Sequence, residues 1–132
     1  MKLTFFKTEY SFNKWFRNKR DDFYFTYMNL RCVEDPCYIC RLTDKNKTIG
    51  IVVYTQFYKD EIYINLFEIQ EKYRKKGYGK IMYQMLIERL KPKFVLLDSC
   101  DDDSRKFWKS LGFHRRIKYA INENEMYKKY NN

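Results

Sequence analysis

The stretch Asn65 to Lys91, NLFEIQEKYRKKGYGKIMYQMLIERLK, restricts what this chain can fold into more than any other. It begins with an apolar extended run and passes through the basic turn Arg74-Lys75-Lys76-Gly77-Tyr78-Gly79. Ile81, Met82, Met85, Leu86 and Leu90 then recur at helical spacing until Pro92 stops the helix. Lys80, Gln84 and Glu88 fall opposite, so the apolar stripe faces a core. Strand, basic glycine turn and helix in that order build an anion site. The N–H groups of a helix's first turn have no internal partner, and the helix dipole adds positive potential there. Glycine permits φ > 0 and a close backbone approach. Two phosphate motifs are excluded. A dinucleotide fingerprint would put a third glycine near position 82, where Met82 stands, and a P-loop needs Gly-Lys-Ser/Thr after a longer spacing.

A chain of 132 residues suffices for one domain with a real core, and residues 1–132 are expected to form that single domain. Its 45% apolar and 20% aromatic content excludes a disordered chain. No apolar run is long enough to span a bilayer, and MKLTFFKTEY lacks the apolar centre of a signal peptide, so a cytoplasmic protein is expected. Lys and Arg number 27 against 17 Asp and Glu, a net charge of +10 that attracts polyanions: coenzyme phosphates, nucleic acid or an acidic protein. Cys37-x-x-Cys40, with Cys32 near it and Cys100 far along the chain, lacks the second pair of a zinc ribbon, and His114 is the one histidine. No metal site is expected, and buried free thiols, which fit a reducing compartment, are expected instead. In an extended segment Cys37 and Cys40 point to opposite faces.

Lys2 to Phe6 reads as a first strand. Phe12, Trp15 and Phe16 within Glu9 to Arg20 predict an amphipathic helix laid on a sheet. FYFTYMNL, from Phe23 to Leu30, reads as a short helix or an ordered loop, with Tyr24, Tyr27 and Met28 in a substrate groove or in the core. Cys37–Thr43, Thr48–Lys59 and Glu61–Gln70, joined by Asp44-Lys45-Asn46-Lys47 and Lys59-Asp60, predict an antiparallel meander. After the helix, Lys93–Ser99 reads as a buried strand, and the helix-length connection favours a parallel pair with Ile62–Ile69. Asp101-Asp102-Asp103-Ser104 opens another helix with an N-cap and an acidic first turn. Phe107, Trp108 and Leu111 give it a buried edge, and Gly112 closes it. Arg115–Ile121 and Glu125–Tyr130 predict a final hairpin around Asn122-Glu123-Asn124.

Arg74, Gly77 and Gly79 resemble the Arg/Gln-x-x-Gly-x-Gly/Ala turn of motif A in the GNAT superfamily of N-acetyltransferases. FWKSLGF, Phe107 to Phe113, resembles the second signature of that family, an aromatic-Tyr-x-x-Leu-Gly-Phe ending to a helix, and the order of elements is similar along essentially the whole chain. The resemblance implies an α/β GNAT fold: a mixed, mostly antiparallel sheet whose parallel central pair is splayed at the acetyl-CoA site, flanked by about four helices. It implies acetyl-CoA as co-substrate, its thioester carbonyl attacked by an amine. Coenzyme contacts are implied at Ile69, at Arg74, Lys75, Lys76, Gly77, Tyr78, Gly79 and Lys80, and at Asp101, Ser104 and Trp108. A backbone N–H at the Ile69 strand end is expected to stabilise the developing oxyanion.

Two positions depart from the pattern. Trp108 stands at the family's usual tyrosine, and an indole N–H is too weak an acid to protonate a thiolate. Asp101 stands where an asparagine often contacts the pantetheine arm. Glu68, on the strand before the turn, is the candidate base for the amine. Strict alternation faces Glu68 away from Tyr63, Asn65 and Phe67 and toward solvent unless a bulge intervenes, in which case it joins the site; Tyr63 or Asn65 could instead hold a water there.

The leading reading is an acetyl-CoA-dependent N-acetyltransferase acting on an amine of a small-molecule, peptide or RNA-linked acceptor. The basic surface favours an acidic or nucleic-acid-linked acceptor over a polyamine. Trp108 and Asp101 motivate an alternative, a catalytically weak acyl-CoA-binding or protein-interaction module. A nucleic-acid-binding domain ranks third, because no nucleic-acid motif accompanies the charge. No membrane partner is expected, and the assembly expected is a monomer or homodimer.

Overall fold

The computed structural model describes residues 1–33, 36–99, 101–115 and 123–130. Its elements are β1 (Lys2–Phe5), α1 (Glu9–Phe16), α2 (Tyr24–Asn29), β2 (Tyr38–Asp44), β3 (Lys47–Tyr58), β4 (Glu61–Ile69), α3 (Tyr78–Leu90), β5 (Phe94–Asp98), α4 (Asp102–Ser110), β6 (His114–Arg115) and β7 (Glu125–Lys129). The strands form one sheet in the order β1-β2-β3-β4-β5-β7-β6. Among the described strands only β4 and β5 run parallel, and α3 connects them, as its helix length favours. Residues 116–121 of the first strand of the expected closing hairpin, and Asn122 of its turn, lie outside the described residues, as does Cys100.

Local chemistry sets most of these boundaries. Thr8 and Ser11 form a capping box at the start of α1, with Ser11 N–H donating to Thr8 Oγ1 at 3.0 Å. The helix ends at Phe16, short of the expected Arg20, because Lys19 N–H bonds to the Phe16 carbonyl three residues back and tightens the chain. Between β2 and β3, Lys45 and Asn46 both adopt positive φ (49° and 67°), the backbone of a two-residue hairpin turn whose twist matches its strands. FYFTYMNL resolves into α2, with Phe23 and Thr26 turned inward.

Helices cover both faces of the sheet. Met82, Tyr83 and Leu86 of α3 and Trp108 of α4 pack with Val52, Ile62, Ile64, Val95 and Leu97 on one face. Phe12 and Phe16 of α1, with Phe23, pack on Ile51 on the other. Gly50 lets α3 come close: a Cβ there would stand 2.8 Å from Met82 Sδ. Among the described residues no helix is long and apolar enough to cross a membrane.

One irregularity matters for function. Val53 pairs with Leu66 but the next residue of β3, Tyr54, pairs with Ile64, so Asn65 is an extra residue in β4. Side chains directly opposite on neighbouring strands share a face. Ile64 and Phe67 therefore both join the α3/α4 face, while Leu66 and Glu68 turn to the α1/α2 face, Glu68 opposite Ile51. Strict alternation, which sends Glu68 to solvent, fails here: Glu68 is 5% exposed. The bulge also bends β4, and its parallel pairing with β5 ends at Ile64–Leu97, immediately before it.

Candidate active site

Where β4 and β5 part, a cavity of about 350 Å³ opens between them, with Glu68, Ile69 and Arg74 on one wall and Asp98, Asp101, Ser104 and Trp108 on the other. It lies at the carboxyl end of a parallel strand pair, a usual place for ligands in α/β sheets. A larger hollow of about 690 Å³, lined by Phe6, Phe12, Phe16 and Leu30, lies along α1. That one has no parallel-strand end in its lining.

The strand edge at the cavity carries peptide groups that β5 does not take. Gln70 N–H bonds to the Ile49 carbonyl on β3 at 2.8 Å. Peptide groups alternate along a strand, so those of Ile69 point the other way, toward the opening. Arg74 Nε reaches the Ile69 carbonyl oxygen from that side at 2.8 Å, and its guanidinium stands 3.6 Å from the Glu68 carboxylate.

The turn that follows has its own geometry. Lys75 (φ 61°) and Gly77 (φ 85°) are left-handed, and α3 begins at Tyr78 with no side-chain cap. The first-turn N–H groups of α3 are thus left for an external acceptor. The second glycine acts differently: a Cβ at Gly79 would stand 3.0 Å from the Phe107 ring, so this glycine admits α4 against α3. Lys75, Lys76 and Lys80 are exposed and Tyr78 is half-buried, edge-on to Tyr73. Lys80 borders a separate hollow of about 450 Å³ between α3 and β7, with Tyr83, Lys128 and Tyr130.

On the opposite wall Asp101 Oδ1 accepts from Ser104 N–H at 2.7 Å and caps α4, and Ser104 Oγ hydrogen-bonds Ser99 Oγ at 2.7 Å. Trp108 is 5% exposed, its ring edge-on to Phe67, Tyr83, Phe107 and Phe113 at 4.8–5.7 Å between centroids. Burial, helped by the hydrogen bond to Tyr130 Oη at 2.6 Å, pushes the Tyr83 phenol well above its ordinary range, and that hydroxyl faces the other hollow. Among the described residues that line the cavity, Ser104 carries the one hydroxyl.

Glu68 binds α2. Its Oε1 accepts Thr26 N–H at 2.8 Å and its Oε2 accepts Phe25 N–H at 3.2 Å. Asn65 donates to Thr55 Oγ1 at 2.8 Å, and Tyr63 donates to Asp98 Oδ2 at 2.7 Å. Phe25 and Asp98 line the cavity without having been singled out from the sequence, whereas Tyr24, Tyr27 and Met28 stay exposed outside its lining. Asp98 was signalled by its place at the end of the parallel strand; Phe25 had no signal, since its facing depends on how α2 docks.

The sequence model described as the Acetyltransferase (GNAT) family matches residues 4–113. The chain belongs to this acetyltransferase family. No curated protein matches it. Among solved structures it is similar to Tetrahymena GCN5, at 14% identity and a TM-score of 0.72, covering 96% of this chain and 94% of that one. It is also similar to the ribosomal-protein-S18-alanine N-acetyltransferase of Escherichia coli, at 17% identity, 76% and 71% coverage and a TM-score of 0.56. AtaTR bound with AcCoA is a third, at 15% identity, 70% and 66% coverage and a TM-score of 0.53. At these identities the likeness is one of fold.

Proposed function

We propose that this protein is an acetyl-CoA-dependent N-acetyltransferase. The observation that carries the reading is the parting of β4 from β5 at the Asn65 bulge, which leaves a strand edge and a cavity beside the uncapped start of α3. That site suits a long ligand with an anionic end and an amide-bearing arm. The arm can pair with the open edge as an added strand, and the anionic end can meet the turn. A solved structure with the same fold is described as bound with AcCoA.

In this reading Gly77, Tyr78, Gly79 and Lys80 offer first-turn backbone N–H groups to the pyrophosphate. Arg74, Lys75 and Lys76 add positive charge. Ile69 offers its backbone N–H to the thioester carbonyl oxygen as charge develops there, while its carbonyl is held by Arg74. Asp101, Ser104 and Trp108 form the facing wall. Bound acetyl-CoA supplies an activated acyl carbon: the amine nitrogen bonds to it, the C–S bond breaks, and the amine's proton is lost as the thiolate gains one. Trp108 cannot donate that proton, so another group or water serves instead.

Buried Trp108 also favours a second reading, an acyl-CoA-binding protein with little transfer. Saturating acetyl-CoA should raise the melting temperature under both readings. Free thiol released from acetyl-CoA with a panel of amines, including small amines, peptide N-termini and aminoacylated RNA, should appear only under the first. No rise in melting temperature would sink both.

A further inference from the structure

Helix α2 has no cap of its own. Phe23 at its N-cap position makes no side-chain hydrogen bond, and six residues are too few to hold a first turn without outside contacts. The acceptor comes from another strand: Glu68 takes the N–H groups of Phe25 and Thr26, one on each carboxylate oxygen. Its side chain is buried, and the bulge at Asn65 is what aims it there. The Arg74 guanidinium, 3.6 Å away and bonded to the Ile69 carbonyl, makes a third contact. A single carboxylate thus ties Phe25, a wall of the cavity, to the strand end and to the turn.

We infer that Glu68 is a positioning residue: its carboxylate is the N-terminal cap of α2 and fixes the Phe25 wall relative to the Ile69 strand end, where an acceptor amine must enter. The cap stands on the geometry alone, while what the wall positions rests on the acetyl-transfer reading. A carboxylate has about four lone-pair sites. Two here accept backbone N–H groups and a cation stands beside one oxygen, so the group is held stiffly. A general base instead needs a lone pair within hydrogen-bond reach of the proton it takes.

The test uses the full chain, with amide hydrogen exchange by NMR beside kinetics. Phe25 and Thr26 amides should be protected in the wild type and exchange about tenfold faster in Glu68→Ala. In Glu68→Gln they should stay partly protected, since the amide oxygen still accepts one bond, and the acetyl-CoA-induced rise in melting temperature should be retained. With the panel amine that the wild type acetylates fastest, Glu68→Gln should raise the acceptor KM, lower kcat by no more than about tenfold, and keep the acid limb of the pH–rate profile. Loss of that limb with a fall in kcat of about 10²–10⁴-fold, while both amides stay protected, would make Glu68 the base and overturn the inference. Unchanged exchange at both amides in Glu68→Ala would overturn it as well. The exchange measurement needs neither coenzyme nor acceptor, so it decides the cap even if no amine is acetylated.

Discussion

A Cβ built on Gly50 would stand 2.7 Å from Ile69 Cδ1, 2.8 Å from Met82 Sδ and 3.1 Å from the Glu68 carbonyl oxygen. Two of these neighbours are flexible side-chain ends, but the third is backbone of the strand that borders the cavity. Gly50→Ala is therefore expected to cost about 1–3 kcal/mol of stability by overpacking and to shrink the acetyl-CoA-induced rise in melting temperature, because the Ile69 strand end must shift. Urea denaturation and melting with coenzyme check both; an unchanged urea midpoint would mean that Ile69 and Met82 simply swing aside. Trp108 teaches a different lesson. Its position in FWKSLGF was legible, as were its neighbours Phe107 and Phe113 in the same segment, but its packing on Phe67 of β4 and Tyr83 of α3 was not, since those rings come from elsewhere in the chain.

Among the elements, the turn and α3 were the most legible. Gly77 takes φ 85° with nothing within 4 Å of where its Cβ would be, so conformation, not space, demands the glycine. Gly77→Ala should cost about 1–2 kcal/mol for placing a side chain in the left-handed region and weaken acetyl-CoA binding. Gly77→Asn should lose less, because asparagine tolerates that region. Thermal melts with and without coenzyme separate the two effects, and equal losses in both variants would contradict this account. β4 was legible as a strand but not in its facing. Nothing in NLFEI marks Asn65 as the extra residue, because a bulge is defined by the register with β3, and that register forms only when the sheet does.

At the scale of the whole molecule, burial of ionisable groups sets a pH limit. Burial pushes the Cys40 thiol from 9.0 up to about 12 and the Tyr54 and Tyr83 phenols well above their ordinary value of 10.0. The unfolded chain releases these protons at the ordinary values, so above about pH 9 the folded state holds more protons than the unfolded one. Stability from these groups is fully present below about pH 9 and is lost progressively as pH rises beyond it. Melting temperature followed by circular dichroism should begin to fall there, and Cys40→Ala should delay the onset. A melting temperature that holds level to about pH 11 would contradict the burial of all three groups.

The sequence by itself determined the order of elements, the meander, the parallel crossover and the glycine turn. Each of these follows from local spacing: Met82 and Leu86 at helical period, Lys45-Asn46 in a tight hairpin, Asp101 three residues before the N–H it caps. Tertiary structure alone decided that β4 leaves β5 at Ile64, that Glu68 is buried and caps α2, that Arg74 folds back onto Ile69, and that Phe25 walls the cavity. The physical reason is register. The face to which a strand residue turns and the partner it meets depend on pairings between segments 10 to 43 residues apart in the chain, as for Asn65 with Thr55 and Phe25 with Glu68. One extra residue in a strand reverses every facing after it.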